Sequence, residues 1–342
     1  MSDVQATTRR KRLMILGGAA IGLWALLGLT SLTSGPQRAT HGQMGEAVLA
    51  GFSQARPDAQ RIRFTLADEQ YTLSRAASGW VMEETGGYPI RSDRLAELAG
   101  GLETLSFGKK RTGDPYKHDQ IGLGDPTEDG NGALVEVFGV DNDLMHSLII
   151  GRKNDILYVR QPGLDQTYRV QGTLPPFYNL RSWLDLNILE IEPSAIRSVR
   201  ITDQDEDSLY LRRAEGSDAR SFRPAPPNQK DRLISRLAAS TTALAVTRLT
   251  PIDVKPAADL TSRPVARHIT ETFDGLEVDL NAYREPNGLW VTLRAVEAGE
   301  GARRASVINQ KAEGWAFQIT DYDFQDFTPR VLSIVERNFT TE

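Results

Sequence analysis

Residues 13–32 read LMILGGAAIGLWALLGLTSL, about 20 residues without a charge. At a rise of 1.5 Å per residue, a helix of that length spans about 30 Å, the thickness of a bilayer's hydrocarbon core. A helix satisfies its backbone N–H and C=O groups internally, as lipid demands. The bases just before it, Arg9, Arg10, Lys11 and Arg12, hold the N-terminus in the cytoplasm. The sequence therefore predicts a single-pass anchor: 1–12 a basic cytoplasmic tail, 13–32 a transmembrane helix, and everything beyond it exported. A cleaved signal peptide is the competing reading. Its apolar core is normally shorter and is followed by a small-x-small cleavage site. Here the exit reads LTSLTSGP, with no such pair at the right spacing and Pro36 following Gly35. Arg9-Arg10 is a weak twin-arginine match, and positive-inside charge accounts for it.

Charge and cysteine content narrow what the exported part does. The chain has 342 residues and a formal net charge of -5. Residues 1–12 hold four bases and one acid (Asp3), which leaves 36 bases against 44 acids beyond them. An acidic body argues against nucleic acid, which needs a concentrated basic face. The chain has no cysteine, so disulfides, thiol nucleophiles and Cys-based metal sites are all excluded. That composition also suits an oxidising compartment. The expected location is a bacterial inner membrane, with the bulk of the chain in the periplasm.

After a polar linker at 33–43, the pattern reads as two similar units, 44–190 and 191–342. The first opens with strands at 61–66, 70–75 and 79–82, then a helix at about 92–105. The second opens with strands at 198–202 and 209–213, then Phe222 and a helix at about 228–243. Asp93-Arg94-Leu95 aligns with Asp231-Arg232-Leu233. Further strands follow at 133–140, 144–150, 156–160 and 167–170 in the first unit, and at 265–273, 276–283, 289–295 and 315–319 in the second. Each unit ends in a helical stretch, 176–186 and 324–337. Alternation is clear in Ile62-Arg63-Phe64-Thr65-Leu66 and in Leu276-Glu277-Val278-Asp279-Leu280. The expected fold is α+β: one N-terminal transmembrane helix, then two tandem units of mainly antiparallel sheet with packed helices.

Motifs that carry chemistry fail on spacing. Gly108-Lys109-Lys110 lacks both the earlier glycine and the following Ser or Thr of a phosphate loop. It reads instead as a helix tail, where Lys109, Lys110 and Arg111 complement the dipole. Gly122-Leu-Gly124 lacks the third glycine of a dinucleotide fingerprint and reads as a turn into Asp125-Pro126. Asp203, Asp205 and Asp207 have calcium-loop spacing, but Ser208 stands where glycine is needed and Ala214 where glutamate is needed. A polar hairpin turn fits better. His41, His118, His146 and His268 show no paired metal-ligand spacing. No Gly-x-Ser-x-Gly elbow occurs. Trp80, Trp183, Trp290 and Trp315 read as core anchors. No catalytic, cofactor-binding or metal-ligating residue is therefore assigned, and no cofactor is expected.

The order of the short motifs is informative where each alone is not. Gly79-Trp80, Gly87-Tyr88-Pro89, Gly122-Leu-Gly-Asp-Pro126, Ile150-Gly151, Tyr158-Val159-Arg160 and Tyr168-Arg-Val170 follow one another behind an envelope anchor. Together they resemble the bacterial family called domain of unknown function 4340, over about 45–335. The segment Ala47-Val-Leu-Ala-Gly-Phe52 matches the family's usual entry only loosely. The resemblance implies an envelope protein associated with ABC transporters of the gliding-motility-auxiliary type, and it transfers no catalytic residue.

The functional expectation is a non-enzymatic, membrane-anchored accessory or scaffold protein. Its partner is an integral membrane protein, an ABC transporter subunit, rather than nucleic acid. Two alternatives stand beside it: a ligand-binding module that passes a lipid or small solute to a transporter, and an envelope hydrolase.

Overall fold

In the computed structural model the described residues are 42–214, 221–296 and 302–337. The predicted membrane span at 13–32 lies outside them, with the tail before it, most of the linker and His41. Among the described residues no helix is long and apolar enough to cross a membrane. The described residues fall into two compact units: those up to Val81 with Ser92–Leu180, and Met82–Arg91 with those from Arg181 onward.

The first unit is one wide sheet. Its strands are β1 (Arg61–Thr65), β2 (Gln70–Ala76) and β3 (Gly79–Met82). After β4 (Tyr88–Pro89), whose segment belongs to the second unit, come β5 (Ser106–Lys110), β6 (Ala133–Phe138), β7 (Leu144–Lys153), β8 (Ile156–Arg160) and β9 (Tyr168–Gln171). They lie in the order β3-β2-β1-β6-β7-β8-β9-β5, and the pairs from β2 to β5 are antiparallel. Alternation decides which face is core: in β1, Ile62 and Phe64 are buried between half-buried Arg61, Arg63 and Thr65. The β7–β8 hairpin turns on Asn154 and Asp155, both at positive φ (49° and 58°), which suits a two-residue turn matched to strand twist. Helix α1 (Ser92–Thr104) buries Leu98, Gly101 and Leu102. Tyr71 stacks on Phe64 at 4.7 Å, and its hydroxyl donates to the Phe177 carbonyl.

The second unit repeats the plan. Its elements are β10 (Ile196–Thr202), β11 (Ser208–Arg213), β12 (Phe222–Pro224), β13 (Arg232–Leu233), α2 (Arg236–Ala243), β14 (Asp253–Pro256), β15 (Pro264–Thr272), β16 (Glu277–Glu285), β17 (Gly288–Val296), α3 (Ala302–Ala312), β18 (Trp315–Ile319), α4 (Asp321–Phe327), α5 (Val331–Ile334) and β19 (Val335–Glu336). Its main sheet has the order β12-β11-β10-β15-β16-β17-β18-β14. Strand for strand this is the order of the first sheet, with α1 and α2 at the same step of the chain. Two sheets of one order are consistent with tandem units, and the fold is α+β with mainly antiparallel sheet.

Several local expectations are corrected. The helix expected to run into Lys109 and Lys110 stops at Thr104, and these lysines lie on strand β5. That strand pairs with β9 (Phe107↔Val170), a contact across 63 residues that local periodicity does not carry. The helix expected at 228–243 begins only at Arg236, where the Ser235 hydroxyl accepts from Ala238 N. Upstream, the Asn228 side chain accepts from Tyr210 N at 2.9 Å, and Arg232–Leu233 pairs with Val335–Glu336. Asp93-Arg94-Leu95 is therefore helical while Asp231-Arg232-Leu233 is turn and strand, so the similarity rests on strand order rather than on that match. The stretch 176–186 holds only a short 3-10 turn, Leu180–Trp183, and 324–337 breaks into α4, α5 and β19. Helix α3 was not anticipated: its sequence, ARRASVINQKA, is mostly polar.

Candidate functional site

Three of the short motifs, Gly122-Leu-Gly-Asp-Pro126, Ile150-Gly151 and Tyr158-Val159-Arg160, converge on one face of the first unit. Leu123 is fully buried against Leu134, Ile149 and Tyr158, which draws the loop before β6 onto β7 and β8. Gly122 takes φ 73°, a left-handed conformation open to glycine. Its carbonyl lies so near Gly151 that a Cβ there would stand 2.1 Å from it. A Cβ on Gly124 would stand 1.8 Å from Asp119 Oδ1, and one on Gly130 would stand 2.2 Å from the Gly124 carbonyl carbon. At Gly130 and Gly151 the crowding atoms are backbone, whereas at Gly124 the nearest is the Asp119 carboxylate.

Arg160, at the end of β8, is only 6 % exposed. Its Nε donates to Leu123 O at 2.9 Å, Nη2 to Asp125 Oδ2 at 3.3 Å and Nη1 to Leu164 O at 3.4 Å. The other carboxylate oxygen of Asp125 accepts from Thr127 N at 3.1 Å and Thr127 Oγ1 at 2.7 Å, starting a 3-10 turn at Pro126. Burial pushes the Asp125 carboxyl up, but the two Thr127 donors and the Arg160 guanidinium outweigh it and hold it below the usual carboxylate range. An ionised carboxylate accepts hydrogen bonds, here three, and has no proton to give near neutral pH. Asp119 ties the far side of the loop, accepting from Asn131 N at 3.1 Å. His118 is buried with Nε2 2.9 Å from Asp165 O. The constellation anchors a loop.

Beside the anchor lies an open polar depression of about 590 Å3, lined in part by Arg152, Lys153, Asp155 and Tyr178. Lys153 Nζ donates to Gln120 O at 2.6 Å, and Arg152 Nη2 reaches Leu174 O at 3.4 Å. A further motif, Gly87-Tyr88-Pro89, belongs to the second unit. Tyr88 is buried there edge-on to Trp315 at 5.0 Å, and its hydroxyl donates to Asp185 O at 3.1 Å. Burial first, then the nearby Asp185 charge, raises the Tyr88 phenol above its ordinary range.

The other stretches weighed on spacing are structural. Asp203 Oδ1 accepts from Asp205 N at 3.0 Å and Asp207 N at 3.1 Å, and Oδ2 accepts from Val331 N at 2.8 Å. Asp205 pairs with Arg330 and Asp207 with Arg337. The calcium-like spacing is thus a hairpin turn whose carboxylates secure the start of α5 and the chain beyond it. His268 is 1 % exposed, with Nε2 2.9 Å from Thr242 O and Nδ1 3.3 Å from Thr270 Oγ1. Burial pushes its pKa down to about 4. His146 is buried against Phe52 at 5.5 Å between rings. Among the described residues no group of three His, Cys, Asp or Glu side chains converges as a metal would require. Trp183 and Trp290 are core residues, while Trp80 and Trp315 are half-buried.

Sequence reading missed the Arg160–Asp125 link. Its signal was a lone arginine closing the apolar strand Ile156-Leu-Tyr-Val-Arg160, a residue type that is seldom buried without a partner.

A family model described as a domain of unknown function (DUF4340) matches residues 80–262. No curated protein and no solved structure matches the chain significantly. The matched span runs from β3 past β14, and it includes the glycine-locked loop, Gly151, Arg160 and Tyr88. With more than half of its length matched, the chain belongs to the DUF4340 family.

Proposed function

We propose that the chain is a membrane-anchored extracytoplasmic accessory or scaffold protein that partners an ABC-type transporter in the bacterial cell envelope. The observation that supports it most is how soon structure begins after the charge-free stretch. Gly45 N donates to Phe107 O at 2.7 Å and Val48 N to Leu105 O at 2.8 Å, so the chain joins the first sheet about a dozen residues past Leu32. About ten linker residues reach at most some 35 Å. On this reading the first unit works close to the bilayer, within reach of a partner in the same membrane. The glycine-locked loop, held by Arg160 and Asp125, adds a surface on the same unit.

The test is recovery of the full chain from membranes under mild detergent after crosslinking. Transporter subunits are expected to co-purify at a fixed ratio. Recovery of the chain alone would overturn the proposal. Loss of the partner on exchanging residues 13–32 for an unrelated membrane span would assign the contact to the span rather than to the exported units.

A further inference from the structure

The first unit holds an apolar groove that neither the family nor the accessory reading explains. The cross-strand pair Ile62 and Val137, buried at 5 % and 2 % exposure, forms its floor. Helix α1 forms one wall, presenting Leu95 and Ala99 half-buried above buried Leu98 and Leu102. A helical turn carrying buried Phe52 and half-buried Trp80 also line it. Small side chains at Ala96 and Ala99 leave the space open, and the cavity measures about 570 Å3. That lies within the range of small-molecule sites, roughly 300–1,000 Å3.

Size and charge select the occupant. A helix about 10 Å across fills roughly 400 Å3 per turn, so this cavity holds little more than one turn. Helix-in-groove recognition needs anchors spread over two turns or more. A single hydrocarbon chain fits instead. Of the lining residues, Arg56 and Arg75 are the bases and Glu103 the acid. Arg56 pairs with Glu103 at 3.2 Å. Arg75 is exposed and donates to Pro57 O at 3.3 Å, which leaves its charge at the mouth unbalanced by any lining acid. We infer that this groove binds a single-chain amphiphile, with its tail between α1 and the β1–β6 floor and an anionic head, carboxylate or phosphate, at Arg75.

The inference goes beyond the accessory reading, and its test needs no transporter, so the two fail separately. The full chain is reconstituted in lipid nanodiscs and photolabelled with a twelve-carbon fatty acid carrying a diazirine. Modified residues are then mapped by mass spectrometry. Labels are expected on 95–102 and at Trp80. Dodecanoate and dodecyl phosphate should compete, and whichever competes better identifies the head. Dodecyltrimethylammonium should need about tenfold more, and Arg75→Glu should erase that difference. Ala99→Trp fills the groove and should cut labelling about tenfold or more at unchanged melting temperature. Ala96→Trp, on the exposed side of the same wall, repeats the test if that variant fails to fold. Labels confined outside the groove, labelling unchanged in a folded groove-filling variant, or equal competition by the cation would each overturn the inference.

Discussion

The two units share one strand order yet close the same crossover differently. In the first, residues 111–132 connect β5 to β6 through the glycine-locked loop held by Arg160 and Asp125. In the second, 257–263 connect β14 to β15, and Glu285 on neighbouring β16 holds the link. Its carboxylate accepts from Thr261 N at 3.1 Å, Thr261 Oγ1 at 2.7 Å, Ser262 N at 2.7 Å and Ser262 Oγ at 2.6 Å. A threefold longer connection costs only about 1 kcal/mol more in closure entropy. A sheet order can therefore persist while its loops diverge, provided each loop finds a buried or near-buried charge to hold its backbone groups. The central strands differ too. Phe64 pairs with Val135 on β6, and at the matching register Ile201 pairs with His268 on β15. One unit fills the place with a methyl-bearing side chain, the other with an imidazole that must stay neutral.

Breaking the first unit's lock should have the largest effect. Arg160→Met removes the charge but keeps much of the apolar stem. It strands the Asp125 carboxylate and the Leu123 carbonyl, so a loss of about 3–5 kcal/mol is expected. Urea unfolding would measure it, and hydrogen exchange should show residues 119–132 losing protection first. A midpoint within error of the parent would mean that the glycine packing alone carries the loop.

The imidazole in the second unit gives a pH signature. The folded pKa of His268 is about 4, below the 6.5 of an unperturbed histidine, so the unfolded state takes up a proton first as pH falls. Stability should be insensitive to this group above pH 6.5 and drop between pH 6.5 and 4, by about 3 kcal/mol in all. His268→Val imports the first unit's solution. It should flatten that slope while lowering the midpoint at pH 8 slightly, because Thr242 O loses its donor. A slope that survives the substitution would point instead to His146, whose pKa burial also lowers.

The smallest effect is expected at Glu285. The Ser262 hydroxyl, then the Ser262 N–H and the Thr261 hydroxyl, pull its carboxyl down to about 2. A lowered carboxylate pKa contributes stability above the unfolded value near 4.5, and this is lost as pH falls toward 2. Glu285→Gln should lower the urea midpoint modestly at pH 7 and flatten the profile only below pH 4.5. An unchanged profile would show that Thr261 and Ser262 are held by the sheet alone.

How much of this was legible beforehand follows from the range of each interaction. The strands of β1, β2, β8 and β16–β18 were readable because alternation and turn residues act over a few positions. Strand β5 was not, since a serine, a glycine and two lysines have little strand character, and pairing with β9 overrides it. The Asp-Arg-Leu match misled because three residues do not decide conformation: Ser235 starts α2 later and Val335–Glu336 captures Arg232–Leu233. At the motif face the individual residues were quoted, but their convergence was not visible. Arg160 and Asp125 are 35 positions apart, and no local pattern announces that one will bury against the other.

Sequence alone determined the charge-free run at 13–32, the exclusion of cysteine chemistry, the α+β alternation of strands and helices and the order of the family motifs. These are properties of composition and of short periods, set before any long-range contact forms. Only the tertiary structure decided that Lys109 and Lys110 lie on a strand, that Met82–Arg91 joins the second unit, that both sheets share one order, and that α1 leaves an apolar groove over Ile62 and Val137. Each depends on which distant backbone or side chain supplies the missing partner, and that is settled by packing and hydrogen-bond satisfaction across the whole unit.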